Sequence, residues 1–208
     1  MPAPEAALIA DLALMEQAVR EAGAIARKFF GQAYKTWDKS KGNPVTEADI
    51  AIDHALRAQL MAARPGYGWL SEETEDNSSR LQRASVFVID PIDGTIGFIK
   101  GRAQFTICAG LVLEGIAVAG VVFNPITEEC FTALQGGGAK LNGVPIHVGA
   151  HSAIEGCRML GPRATFERAL WPAMTIETRS SVAYRLALVA SAAFDARLAL
   201  SAKRDWDL

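Results

Sequence analysis

Asp90 and Asp93 stand three positions apart, with Pro91 and Ile92 between them and Gly94-Thr95 directly after. Two carboxylates at that spacing on a turn can share a divalent cation. The apolar run Val86-Phe87-Val88-Ile89 before them has the β-branched and aromatic density of a buried strand, so the acids are expected at its C-terminal edge. Pro91 lacks a backbone donor, and the strand is expected to stop there. Gly94 permits a tight bend, which leaves its amide and that of Thr95 to face an anion. The same residue types also build ordinary acidic turns.

A second acidic stretch, Ser71-Glu72-Glu73-Thr74-Glu75-Asp76, follows a short predicted strand over 67–70. Such a run is commonly a solvated loop. Here both acidic groups leave strand ends, and they meet if those strands are neighbours. Asp207 adds a late carboxylate. The three histidines, His54, His147 and His151, are scattered, and no His/Cys ligand set accompanies the acids. Hard oxygen donors select Mg²⁺, Mn²⁺ or Ca²⁺ over zinc or copper. Magnesium beside exposed amides implies phosphate chemistry.

The elements that must position these groups follow from periodicity. Leu8, Leu12, Met15, Val19, Ala22, Ile25, Ala26 and Phe29 recur at helical spacing, giving an amphipathic helix over about 4–30. Residues 36–44 are polar and broken by Gly42-Asn43-Pro44, which reads as a loop. A second helix is expected from Thr46, with Asp49 as a partial capping box. Strands follow over about 104–113, 117–123 and 130–134. The glycines at 136–138 fit a hairpin turn and not a nucleotide-binding pattern. Beyond His147 the texture changes: extended segments over 153–160 and 175–178, a helix over 181–192 and a strand over 194–200. That change suggests an α+β lobe over 1–146 carrying the acidic motifs and an α/β lobe over 147–208.

The 208 residues carry a net charge of −2, which gives no reason to expect a nucleic-acid polymer or an anionic membrane as partner. Cys108, Cys130 and Cys157 form no paired motif and suit a reducing compartment. No basic start followed by an apolar run opens the chain, which is expected to be cytoplasmic. The apolar stretch 105–123 approaches membrane-span length, but Glu114-Gly115 at its middle favours two antiparallel strands.

Taken together, Asp90-Pro91-Ile92-Asp93-Gly94-Thr95, the Glu72-Glu73 pair, Pro44-Val45-Thr46-Glu47-Ala48-Asp49 and Trp206-Asp207 resemble the inositol monophosphatase superfamily in order and spacing, over the whole chain. The resemblance implies a layered α/β/α/β/α sandwich of the sugar-phosphatase type. It also implies a homodimer, two or three Mg²⁺ ions, Li⁺ sensitivity and hydrolysis of a small phosphorylated metabolite by direct attack of water. Carried over residue by residue, Glu72, Asp90, the Ile92 carbonyl, Asp93 and Asp207 would be metal ligands. Thr95, Asp49 and Glu72 would be catalytic, with Asp49 behind Thr95 at the attacking water. Glu72, Ile92, Asp93, Gly94, Thr95 and Asp207 would meet the substrate, Gly94 and Thr95 at its phosphate.

Phe98-Ile99-Lys100 and Phe105-Thr106 look more like the 3′(2′),5′-bisphosphate nucleotidase branch, which makes such a nucleotide the expected substrate. Inositol 1-phosphate or histidinol phosphate is the alternative. Leu200 stands where inositol-specific members carry a glutamate, and Ser180 where many relatives have glycine. The family pattern continues past Leu208, so the second lobe is expected to be incomplete, which keeps a non-catalytic metal-binding relative among the readings. A haloacid-dehalogenase-type phosphatase with a covalent aspartyl phosphate has one residue between its acids, and this chain has two.

Overall fold

The protein is described here from a computed structural model covering residues 5–40, 42–167, 170–200 and 206. Helix α1 (Glu5–Phe29) buries Asp11, Met15, Ala18, Val19, Ala22 and Ala26, the stripe expected of an amphipathic helix. It lies close to the sheet at Gly23, where a Cβ would stand 2.5 Å from the Phe123 ring. After α1 the chain forms β1 (Thr36–Ser40) and β2 (Asn43–Thr46), paired antiparallel. The loop expected over 36–44 is therefore a hairpin. Its polar residues gave no strand signal because β1 is exposed along its whole length.

Helix α2 (Glu47–Ala63) starts at a complete capping box, with Thr46 and Asp49 exchanging bonds between side chain and backbone. Strand β3 (Gly68–Ser71) runs parallel to β4 (Ser85–Asp93), and α3 (Thr95–Ile99) follows at once. Strands β5 (Thr106–Leu113), β6 (Ile116–Asn124), β7 (Glu129–Leu134), β8 (Gly138–Leu141) and β9 (Val144–Ile146) complete a seven-stranded sheet in the order β3-β4-β5-β6-β7-β8-β9. Glu114 and Gly115, both at positive φ (50° and 82°), turn β5 back into β6 as the sequence suggests. No described helix is long and apolar enough to cross a membrane.

The strand bearing the two aspartates does not stop at Pro91. It continues to Asp93, with a register irregularity between Asp90 and Asp93 against β5. The last β3–β4 pair is Ser71 with Ile89, so Pro91 lies past the end of β3, where no partner calls for its missing donor.

A second, three-stranded parallel sheet has the order β11-β10-β12, from β10 (Arg158–Leu160), β11 (Thr175–Glu177) and β12 (Ala196–Arg197). Helix α5 (Val182–Ala190) lies between the sheets, where Tyr184 and Leu188 pack with Phe131 of β7 and Leu160 of β10. Short α4 (Arg163–Phe166) buries Phe166 against Met159. The layer order is α1/α2, large sheet, α5, small sheet, α4, an α/β/α/β/α sandwich. The main core lies under α1 and α2, where Phe87, Ile89, Phe98, Phe105 and Ile107 are fully enclosed. All three cysteines are free thiols and buried.

Candidate active site at the ends of the parallel strands

Because β3 and β4 are parallel neighbours, their C-terminal ends deliver the two acidic groups to one place. The Glu72 amide donates to the Ile89 carbonyl at 3.2 Å, which fixes the first residue past β3 against β4. Glu72, Asp90, Ile92, Asp93, Gly94, Thr95 and Ser180 line a single cleft of about 330 Å³. Gly42, Asn43 and Pro44 close one side of it from the β1–β2 hairpin. Six of the eight residues given a role by the sequence thus share the cleft. Asp49 lies behind it, and Asp207 falls outside the described residues.

Asp49 is fully buried. One of its oxygens, Oδ2, accepts from the Thr46 amide (2.9 Å) and hydroxyl (2.5 Å), completing the helix cap. The other, Oδ1, lies 3.3 Å from the Thr95 hydroxyl, which also sits 3.0 Å from the Ile92 carbonyl. A hydroxyl has one proton, so Thr95 donates to one of these acceptors at a time and keeps lone pairs for a donor in the cleft. Burial raises the Asp49 carboxyl to about 6, against the bonds from Thr46 that favour its charged form.

Asp93 is engaged differently from a plain ligand. Its Oδ2 accepts from the Ser181 hydroxyl (2.6 Å) and the Ala183 amide (2.6 Å), and its Oδ1 from the Val182 amide (3.0 Å). It therefore caps α5 from outside as well as lining the cleft, a placement favoured by the partial positive charge at a helix N-terminus. Oδ2 thus carries two of these bonds and Oδ1 one. Ser181 in turn shares a 2.8 Å hydrogen bond with Thr106 of β5. Gly94 has φ 98° and a Cβ there would lie 2.9 Å from the Ser181 nitrogen, so only glycine fits the bend.

Sequence reasoning missed the reach of one side chain into the site. Lys39 reaches across from β1 to Glu72 Oε1 (3.0 Å) and Glu73 Oε1 (2.8 Å). Burial raises the Glu73 carboxyl to about 7, with the lysine pulling the other way. Ser180, noted above as departing from many relatives by resemblance, has room because of Gly97: a Cβ at Gly97 would meet Ser180 Oγ at 2.5 Å. Leu200, taken to mark a lost substrate contact, is 72% exposed and lines a different cavity with Ala164, Thr165, Leu170 and Trp171.

Among the described residues no three acidic, histidine or cysteine side chains draw together into an enclosed metal cage. The donors that do line the cleft, three carboxylates and a backbone carbonyl, are all hard oxygens and fit a magnesium-class cation. The profile of the Inositol monophosphatase family matches residues 10–208. The chain belongs to that family. Inositol-1-monophosphatase of Rhizobium meliloti (strain 1021) is 40% identical over 145 residues, which are 69% of this chain and 54% of that protein. Histidinol-phosphatase of Chlorobaculum parvum is 34% identical over 67% of this chain and 54% of its own length. The chain thus spans about half the length of these curated relatives of the inositol monophosphatase family. The crystal structure of the extragenic suppressor protein suhB from Bartonella henselae superposes with a TM-score of 0.85 at 29% identity, over 96% of this chain and 81% of that one. These two curated relatives are named for inositol monophosphate and histidinol phosphate, not for a bisphosphate nucleotide.

Proposed function

We propose that this protein is a Mg²⁺-dependent phosphomonoesterase for a small phosphorylated polyol or alcohol, with inositol 1-phosphate as the favoured substrate. The observation that carries the reading is the Thr95 hydroxyl, held between Asp49 Oδ1 and the Ile92 carbonyl at the wall of the cleft that also bears Glu72, Asp90 and Asp93. Glu72, Asp90, the Ile92 carbonyl and Asp93 would hold magnesium, with Asp207 assigned by resemblance alone. When bound, the metal polarises phosphoryl oxygens and lowers the pKa of a ligated water. Thr95 accepts a proton from the attacking water while donating its own to Asp49, whose raised pKa makes it a better base than an exposed aspartate. Gly94 and Thr95, at the bend into α3, face the phosphate. With both Asp93 oxygens occupied by α5, that residue is poorly placed as a covalent nucleophile.

The nucleotide expected from Phe98-Ile99-Lys100 and Phe105-Thr106 gives way to the inositol reading. Phe98 and Phe105 are fully enclosed and pack on each other edge-to-face at 4.8 Å, so they serve the core and offer no stacking face to a base. The relatives' names point the same way. We place the lobe boundary near residue 146, supported by β9 ending at Ile146 and by β10 belonging to the other sheet. A homodimer in the cytoplasm and Li⁺ sensitivity belong to the same reading.

A phosphate-release panel over inositol 1-phosphate, histidinol phosphate and adenosine 3′,5′-bisphosphate, with Mg²⁺ and with added Li⁺, tests it. Inositol 1-phosphate is expected to be turned over best, and Thr95→Ala to lower kcat by about 10²–10⁴-fold with KM for Mg²⁺ little changed. Preference for the bisphosphate restores the nucleotidase branch. A silent wild-type chain over the whole panel, with Mg²⁺ still bound, points to a non-catalytic member.

A further inference from the structure

Asp53 carries an acid that the reaction outlined above does not use. It lies one helical turn past Asp49 on the same face of α2 and is 2% exposed. Its Oδ1 accepts a very short hydrogen bond from the Ser71 hydroxyl, and its Oδ2 accepts from the Thr74 hydroxyl at 2.6 Å. Ser71 ends β3 and Thr74 lies three positions on, so one carboxylate grips the chain on both sides of Glu72-Glu73. Ser71 Oγ extends the grip by accepting from the Glu73 amide at 3.4 Å. The Glu72 amide is itself tied to β4. Asp53 is absent from the lining of the cleft.

We infer that Asp53 is a positioning residue that aims the Glu72-Glu73 loop at the cation. The inference rests on the proposed role of Glu72 as a metal ligand. A buried carboxylate taking two hydroxyl donors makes charge-assisted bonds stronger than neutral ones, and it removes the rotational freedom of the segment it spans. Glu72 follows directly on the clamped Ser71, so the loop reaches the cation already shaped. Helix α2 then serves both halves of the site, through Asp49 at Thr95 and through Asp53 at the loop.

The test is Mn²⁺ binding without substrate, read by the electron paramagnetic resonance signal of the free ion, on wild-type protein and five variants. Partners of metal ligands are worth about 10–100-fold in affinity, so Asp53→Asn is expected to weaken Mn²⁺ binding by about 10-fold. Thr74→Val, at a half-buried loop position that leaves the helix untouched, is expected to weaken it by about 3-fold. Combining the two should add little to Asp53→Asn, because both break one clamp. Asp11→Asn is the control: Asp11 is equally buried but holds Arg64 and Tyr67 away from the cleft, so it should lower the melting temperature and leave Mn²⁺ affinity unchanged. If Asp53→Asn behaves like Asp11→Asn while Glu72→Gln weakens Mn²⁺, the positioning role is overturned and the ligand assignment stands. If Glu72→Gln binds Mn²⁺ as wild type does, the ligand assignment falls, and the inference with it. Should Asp53→Asn fail to fold, Thr74→Val alone decides, and unchanged affinity there overturns the clamp.

Discussion

The two sheets are built on different principles. The seven-stranded sheet has strands of up to nine residues, two covering helices and a core in which Phe87, Phe98 and Phe105 are fully enclosed. The three-stranded sheet has strands of two or three residues; Leu160 is its one fully enclosed side chain among the described residues, while Met159 beside it and Phe166 of α4 keep 6% and 7% exposure. An ion pair joins Arg158, at the start of its central strand, to Asp195 just before β12. Nearly every chemical group of the cleft comes from the thick region. The thin region contributes Ser180 and the N-terminus of α5, joined to the rest through Asp93. The proposed site is thus mounted on the better-buried region, and the thinner one is attached to it through Asp93.

Asp93→Asn should be the most damaging test of this junction. It exchanges an acceptor oxygen for an NH₂ group facing the donors at the start of α5, and it removes the charge proposed to hold the cation. Turnover should fall on the order of 10³-fold, about 4 kcal/mol of barrier. Stability should fall by about 1–3 kcal/mol in urea unfolding, because buried donors are left unpaired. Loss of activity with no loss of stability would reduce Asp93 to ligation alone and separate the two regions.

Core truncations sharpen the contrast. Phe87→Ala should cost about 3–5 kcal/mol and Phe166→Ala about 2 kcal/mol, since the second site is partly wet and can collapse. Urea midpoints measure both. Equal costs would mean that the small sheet is as well packed as the large one.

The smallest effect concerns pH. The hydrogen bonds from the Arg158 side chain and backbone hold Asp195 down at about 2, below its ordinary 3.8. A depressed carboxyl contributes stability above the unfolded value, and that contribution is lost as pH falls from about 4 to about 2. Asp195→Asn should unfold earlier than wild type at pH 7, and the two should converge near pH 2. Fluorescence-detected urea unfolding at several pH values reads the difference, and a gap that persists at pH 2 would remove the ion pair as its source.

The sequence carried the large sheet well, because apolar alternation and the Glu114-Gly115 turn mark long strands, and Thr46 with Asp49 marks a helix start. It carried the small sheet poorly. Strands as short as Ala196–Arg197 hold too few residues for a period, and the strand expected over 194–200 shrank to that pair. The β1–β2 hairpin was hidden for a different reason: an exposed ribbon needs no apolar side, so Lys39 passed as loop lysine. At the site, motif spacing grouped the acids correctly. It could not show that Asp93 reaches a helix 89 residues further on, or that Leu200 points elsewhere, since contacts between distant segments leave no local pattern.

The capping box at the start of α2 has a consequence for how this chain can change over generations. Asp49 closes the helix with one oxygen and reaches Thr95 with the other. Asparagine would keep an acceptor for the Thr46 donors and, on the proposed mechanism, forfeit the base; glutamate can still close a capping box but would move the oxygen that faces Thr95. Serine or threonine could cap nothing from that position and reach nothing in the cleft. Change at this position is thus constrained from two sides: the helix start asks for an acceptor at Thr46, and the proposed chemistry asks for a carboxylate oxygen at Thr95.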